Sequence, residues 1–293
     1  MIDVRGEMIR DIVGAMGPRD WTVPITVGIA GPIGHGKSTL ARMLAEKFGH
    51  VEIAFADHLR RVCAALLGLP YNYLVDRALK SAPLVGFDNG YVFPFDHRDP
   101  AAVNRQLDVA LAVAYGTAPD VFTYAPAAAS LRGTVLVGAD KLRPGAVRTN
   151  ALVQFMRHVW IPLRNGRIFS PREVLQLVGT EVLRAVDPGI WIWAWNQQAD
   201  SVDLVVTPDF RFPNELEMLR ARHALLVWVE RPGHDVDTRH VSETLLDKTK
   251  LDAEIINDGT LDDLWRALHK ILVVYAKAHK SGVDSGYAKL VTA

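Results

Sequence analysis

One octapeptide restricts this chain more than anything else in it. Gly31-Pro32-Ile33-Gly34-His35-Gly36-Lys37-Ser38 fits G-x-x-x-x-G-K-[ST] at every fixed position. At average residue usage the pattern arises by chance in about one chain in a hundred of this size. Its flanks are of the right kind: Ile25 to Ala30 is a short apolar run, and 38–45 has helical spacing, so the segment reads strand, loop, helix. Glycines let the backbone curl until successive N–H groups face an anion, and the helix N-terminus adds its dipole. The expectation is a phosphate cradle of Gly31, Ile33, Gly34, His35, Gly36, Lys37, Ser38 and Thr39. In it, Lys37 reaches the β- and γ-phosphates of ATP and the Ser38 hydroxyl ligates Mg2+. His35 lacks neighbouring metal partners in the sequence, so a metal role for it is discounted.

The rest of the chain sets this motif in an alternating pattern. A second strand is expected at 51–56, followed by helical spacing at 59–67. Ser170-Pro171-Arg172-Glu173 opens a helix, with Ser170 as N-cap and Glu173 completing a capping box. Strands are expected at 204–207, 225–230 and 254–256, with helices at 215–222 and from 261 to about 276. Strands alternating with helices imply an α/β fold whose central parallel sheet is covered on both faces. Between 81 and 166 the pattern gives way to proline, glycine and aromatic punctuation, as in Phe87-Asp88-Asn89-Gly90-Tyr91. That stretch reads as a mixed or helical insertion, with a helix at 101–115 and a candidate strand at 134–137. The expected organisation is an N-terminal helical extension (1–23), a core (24–80 and 167–280), the insertion (81–166) and a tail (281–293).

Composition narrows the function classes. Lys and Arg number 33 against 33 Asp and Glu, so no global charge draws the chain to nucleic acid or an anionic membrane. The single cysteine, Cys63, excludes an internal disulfide and a multi-cysteine zinc site. No apolar run reaches membrane-spanning length, and Asp3, Glu7 and Asp11 interrupt the first 17 residues where a signal peptide needs apolar ones. A cytoplasmic location, no membrane partner and no stable nucleic-acid binding are expected. A homodimer is left open.

Beyond the cradle, several polar groups stand where chemistry is expected. Asp209 and Arg211 follow an apolar strand, and carboxyl ends of parallel strands face the ligand crevice. There Asp209 can order Mg2+, directly or through water, and the planar fork of Arg211 can clamp a phosphate; the plainer reading is a surface pair capping the next helix. Arg172, Gln176, Thr180 and Arg184 recur every four residues as one polar stripe, which is a base- or phosphate-recognising face or simply a solvated one. Asp57 and Arg60, after the second strand, can hold an acceptor or merely cap a helix. Trp191, Trp193 and Trp195 alternate; core packing is the favoured reading, with Trp191 kept as a candidate stacking surface for a base. Arg231, Arg239, Lys248 and Lys250 lie between the last two expected strands, where they are lid cations or solvated charges.

Taken in order, these segments resemble the nucleoside monophosphate kinase group, and more closely the deoxynucleoside monophosphate kinases of tailed bacteriophages. The pieces are the cradle, Phe55-Ala56-Asp57-His58-Leu59-Arg60, Leu175-Gln176-Leu177-Val178-Gly179-Thr180-Glu181, Pro208-Asp209-Phe210-Arg211, Arg231-Pro232-Gly233 and Asn257-Asp258-Gly259. The resemblance implies a three-layer P-loop NTPase fold, with catalytic Lys37, Asp209 and Arg211. It also implies acceptor contacts from Asp57, Arg60, Arg172, Gln176, Thr180 and Trp191, and a lid at about 231–252 with Arg231, Arg239, His240 and Glu243. The activity implied is transfer of the γ-phosphoryl group of ATP to a dNMP, in the cytoplasm of an infected bacterial host if the chain is phage-encoded. A kinase for a modified nucleotide, or for a hydroxymethylated base in DNA, keeps the same core. A motor or nucleotide-sensing switch normally ends a core strand in paired acids, whereas Asp209 is followed by Phe210-Arg211.

Overall fold

The computed structural model describes residues 25–68, 71–76, 99–116, 144–234 and 246–280. In chain order the elements are β1 (Ile25–Ala30), α1 (Lys37–Phe48), β2 (Val51–Glu52), α2 (Phe55–Leu67), α3 (Tyr71–Val75), α4 (Pro100–Tyr115) and α5 (Pro144–Phe155). A π-helical turn (Met156–Trp160), α6 (Ile161–Arg164), α7 (Pro171–Gln176), a π-helical stretch (Leu177–Arg184) and α8 (Ile190–Ala199) follow. The chain ends in β3 (Leu204–Thr207), α9 (Pro213–Ala221), β4 (Leu225–Glu230), β5 (Ala253–Ile256) and α10 (Leu261–Lys280). Two compact units result, one drawn from 1–54 and 198–293, the other from 55–197. The division falls at 54/55 and 197/198, whereas the sequence placed its boundaries at 80/81 and 166/167. The expected extension at 1–23, strand at 134–137 and tail at 281–293 lie outside the described residues.

The first unit is built on a five-stranded sheet of order β2-β3-β1-β4-β5, parallel throughout. Its strands are near-continuous apolar runs because both faces are covered. Val27 and Ile29 of β1 and Val227 and Val229 of β4 share one buried cluster with Leu40 and Leu44 of α1 and Leu264 and Leu268 of α10. On the other face a Cβ at Gly28 would come within 2.7 Å of Leu226 Cδ2 and 3.2 Å of Leu219 Cδ1, so α9 packs close to the one position of β1 that carries no side chain. Helices therefore flank the sheet, as the alternation implies.

One expected strand is shorter than its sequence suggests. Only Val51 and Glu52 pair with β3; Ile53 donates its N–H to Val206 O at 2.9 Å, and the chain turns into α2 at Phe55. Phe55 is buried and stacks on Trp195, ring centroids 5.7 Å apart, so packing claims it in place of the ladder. Asp57 in the first turn complements the helix dipole.

In the second unit the regular elements among the described residues are helices, joined by turns at 165–170 and 187–189. A His58 ring nitrogen lies 3.0 Å from Ala114 O, and Gln106 Nε2 donates to Ala65 O, which ties α2 to α4. Arg148 of α5 donates to the buried Asp108 of α4 at 2.5 Å. Residues 144–164, inside the stretch read as an insertion, are helical. Pro144 opens α5, where a missing N–H disturbs a helix least, while Pro162 lies inside the continuous helical run, just after its π-helical turn. No helix among the described residues is long and apolar enough to cross a membrane.

His50, between α1 and β2, is 6% exposed, and burial lowers its pKa from 6.5 to about 4. Between those values the unfolded chain binds a proton that the folded chain does not, so stability falls as the pH drops from 6.5 through about 4. The total effect is about 3 kcal/mol. Urea midpoints at pH 7.5 and pH 4.5 should show this acid limb in the parent chain and lose most of it in His50→Leu; an unchanged limb would assign it to other groups.

Candidate active site

Parallel strands deliver their carboxyl ends to one edge of the sheet, and the candidates at 31–38, 209–211 and 231 follow such ends. The phosphate loop leaves β1, Asp209 to Arg211 leave β3, Arg231 leaves β4 and Asn257 leaves β5. The loop begins at Gly31, whose φ is +143° and where a Cβ would stand 2.1 Å from Val229 O. Only glycine passes β4 that closely. Lys37, the first residue of α1, folds across its own loop and donates from Nζ to Gly31 O at 2.5 Å and Pro32 O at 2.6 Å. Ile33, Gly34 and Ser38 are exposed on the same turn, and Thr39 is half-buried. The N–H groups of Lys37 and Ser38 lie at the start of α1, where the helix supplies no acceptor, so the loop presents donors and one ammonium to an anion.

His35 is buried within the loop. Its Nδ1 accepts the Arg231 N–H at 2.8 Å, and its carbonyl accepts from Asn257 Nδ2 at 2.9 Å. Burial first, then Lys37 and the His234 side chain, lower its pKa, with Glu230 and the His234 backbone opposing, so the ring is neutral near pH 7. A neutral ring has one unprotonated nitrogen, and the Arg231 N–H that points at Nδ1 makes it that one.

The turn after β3 is anchored by Phe210, 1% exposed, which leaves Asp209 and Arg211 half-buried on either side of it. Thr207 Oγ1 donates to Asp209 Oδ1 at 3.4 Å. Glu215 Oε2 accepts the N–H groups of Arg211 at 2.8 Å and Phe212 at 3.1 Å, so the backbone that carries Arg211 is pinned to the start of α9. A hydroxyl at Ser38 and a carboxylate at Asp209 suit Mg2+, which takes one or two protein oxygens and keeps water for the rest.

In the second unit Asp57 and Arg60 pair with each other, and Tyr71 donates its hydroxyl to Asp57 Oδ1 at 3.3 Å. Burial and the Asp57 carboxylate raise the Tyr71 phenol above its ordinary range. Tyr71 carries no motif and enters only through this contact. The capping box at Ser170 is present, with Glu173 N to Ser170 Oγ at 3.2 Å and Ser170 N to Glu173 Oε2 at 2.8 Å. Arg172 is exposed and Gln176, Thr180 and Arg184 are half-buried, while Val174, Val178 and Val182 are buried, so the polar stripe keeps a face of its own. It is not one α-helix, however, because the backbone becomes π-helical at Leu177. There Gly179 allows close approach, its Cβ position being 2.8 Å from Leu59 Cδ2, and its carbonyl accepts Trp191 Nε1 at 3.1 Å. Trp191, Trp193 and Trp195 are all buried, as the packing reading favours, and Trp191 meets His58 edge-on at 6.1 Å.

Of the lid residues, Arg231 is exposed, and Arg239, His240 and Glu243 lie outside the described residues. Lys248 is held by Glu230 at 3.0 Å and Glu254 at 2.8 Å. Gly31→Ala should abolish nucleotide binding and lower stability by at least about 2 kcal/mol. Gly233→Ala, with φ +73° and nothing within 4 Å of its Cβ position, should cost only about 1 kcal/mol. Urea midpoints and calorimetric titration with MgATP distinguish the two, and equal losses would contradict the close approach to Val229.

Compared with known proteins, residues 123–268 match the family model for deoxynucleotide monophosphate kinase. A deoxynucleotide monophosphate kinase of Escherichia phage RB69 is 32% identical over 36% of this chain and 45% of its own length. That of Enterobacteria phage T4 is 28% identical over 36% of this chain and 46% of its own. The deoxynucleoside-5'-monophosphate kinase of Escherichia phage T5 is 48% identical over a shorter stretch, 19% of this chain and 24% of its own. The chain thus spans a little under half the length of the RB69 and T4 proteins. The matched family segment begins inside the stretch read as an insertion, contains Arg172, Gln176, Thr180, Asp209, Arg211 and Arg231, and starts after the phosphate loop. Residues 123–268 thus match the deoxynucleotide monophosphate kinase family model, the same group that the motifs along this chain resemble.

Proposed function

We propose that this protein transfers the γ-phosphoryl group of ATP to a deoxynucleoside monophosphate. The observation that carries the reading is the convergence, at one edge of a parallel sheet, of the phosphate loop with Lys37, the Asp209–Arg211 turn and Arg231. The names of the phage relatives supply the acceptor class. In this reading the loop N–H groups and Lys37 bind the donor phosphates, and Lys37 exchanges its two carbonyl partners for phosphate oxygens. Ser38 and Asp209 are the residues that hold Mg2+, which when bound offsets charge on the β- and γ-phosphates. Arg211, on a backbone pinned by Glu215, directs its guanidinium at charge developing on the transferred group.

Such chemistry needs little covalent help, because the acceptor phosphate is itself the nucleophile. Alignment and charge neutralisation do most of the work. Arg60 and Asp57 with Tyr71, and the stripe Arg172, Gln176 and Thr180, are the acceptor contacts in this reading, while Trp191 acts through packing. The segment 231–252 serves as a lid that excludes water during transfer, with Lys248 holding its C-terminal root between Glu230 and Glu254.

Purified protein supplied with MgATP and each deoxy- and ribonucleoside monophosphate in turn should form ADP and one or more dNDPs. Lys37→Ala and Arg211→Ala should each reduce kcat by about a hundredfold or more. Absence of transfer to every free monophosphate, with ATP still bound, would sink the acceptor assignment and point to modified or DNA-borne acceptors.

A further inference from the structure

His35 is the buried member of an otherwise open loop, 2% exposed where Ile33 on the same turn is 37% exposed. Through this one residue three strand exits are joined. Its Nδ1 takes the N–H of Arg231 just after β4, and its carbonyl takes the amide of Asn257 just after β5, while the residue itself belongs to the loop after β1. The ring meets that of His234 edge-on, with centroids 5.7 Å apart and an interplanar angle of 72°. His234 in turn lies against the loop, since a Cβ on Gly34 would come 3.0 Å from its Nε2.

With Nδ1 accepting, the proton of the neutral ring resides on Nε2, which is buried and has no hydrogen-bond partner among the described residues. An apolar side chain avoids that penalty. What position 35 gains from histidine is therefore the acceptor nitrogen and not the packing. Burial, Lys37 and the His234 side chain favour the neutral ring against the opposing Glu230 and His234 backbone, and the Arg231 contact on Nδ1 is its backbone N–H.

We propose that His35 is a positioning residue for the triphosphate donor: its Nδ1 clamps the root of the segment after β4 onto the phosphate loop, so donor affinity depends on an acceptor atom at that place. The inference rests on reading 31–38 as the donor cradle. The clamp fixes where the Arg231 side chain leaves the backbone and prevents the loop from relaxing away from β4 when no phosphate is bound.

The test uses two polar variants of the full chain. In His35→Asn, Oδ1 stands close to where Nδ1 stands; in His35→Gln, the amide lies one bond further out and misses the Arg231 N–H. Calorimetric titration with MgATP, and hydrogen exchange of the peptide containing Arg231, are measured on both and on the parent chain, together with melting temperature. Gln is expected to weaken MgATP binding at least tenfold and to speed exchange at Arg231, with Asn recovering most of both. Equal behaviour of Asn and Gln, whether both bind like the parent or both fail, overturns the proposal. A parent chain that binds MgATP yet phosphorylates no monophosphate sinks the acceptor reading and leaves the clamp judged by binding. A parent chain that binds no nucleoside triphosphate overturns the donor reading and the affinity claim together.

Discussion

Parallel pairing of β1 with β3 on one side and β4 on the other is the constraint on which the rest of the first unit depends. Val27 stands opposite Val206 and Leu225, so the strands run in one direction and leave the sheet at one edge in steps, β3 after Thr207 opposite Gly28, β1 after Ala30 opposite Trp228, and β4 after Glu230. Because all three exits lie at that edge, a loop after β1, a turn after β3 and a segment after β4 emerge on one side of the sheet although the sequence scatters them. The Gly31 backbone can then touch Val229 O, and Arg231 can reach His35. A one-residue slip of β4 would move that carbonyl away from Gly31 and exchange the side chains that β4 presents to the two covered faces.

Packing turns this register into side-chain placement. Gly28 leaves room on its face of β1 for Leu226, Leu219 and Phe210. Phe210 fills that room, and as the middle residue of Asp209-Phe210-Arg211 it fixes the turn from its apolar centre. Glu215 completes the arrangement by taking two backbone N–H groups at the start of α9. A core residue, a glycine and a helix-start carboxylate thus determine where one acid and one arginine begin. Neither charged residue has to be buried for this, which spares the cost of desolvating them.

What the sequence made legible was local. The strand, loop and helix around 31–38, the capping box at Ser170 and the strands at 204–207 and 225–230 follow from spacing over a few residues and stand as expected. The features that escaped depend on partners far along the chain. β2 is short because Phe55 packs on Trp195, and the π-helical stretch at 177–184 coincides with an indole reaching Gly179 from α8. Within the stretch read as proline, glycine and aromatic punctuation, Pro144 opens a helix and Pro162 lies inside a helical run. His35 looked like one more residue of a glycine turn, and nothing in the octapeptide announces a partner at Arg231.

The phosphotransferase reading draws on two stretches of chain that do not overlap. The phosphate loop at 31–38 is specific by its own pattern and by the geometry of Gly31 and Lys37, and it owes nothing to the family match. The match covers 123–268, which holds the polar stripe, the Asp209–Arg211 turn and the exit of β4. A nucleotide-binding loop by itself is common to motors, switches and kinases, and a match without the loop would leave the donor unexplained. Parallel strand order removes the independence: β1 carries the loop between β3 and β4, the two strands whose exits lie inside the matched segment. The two stretches thus meet on one sheet edge for a reason set by hydrogen-bond register, which is why a kinase, with its need for both a donor cradle and a charge clamp, accounts for more of the unit than either stretch does alone.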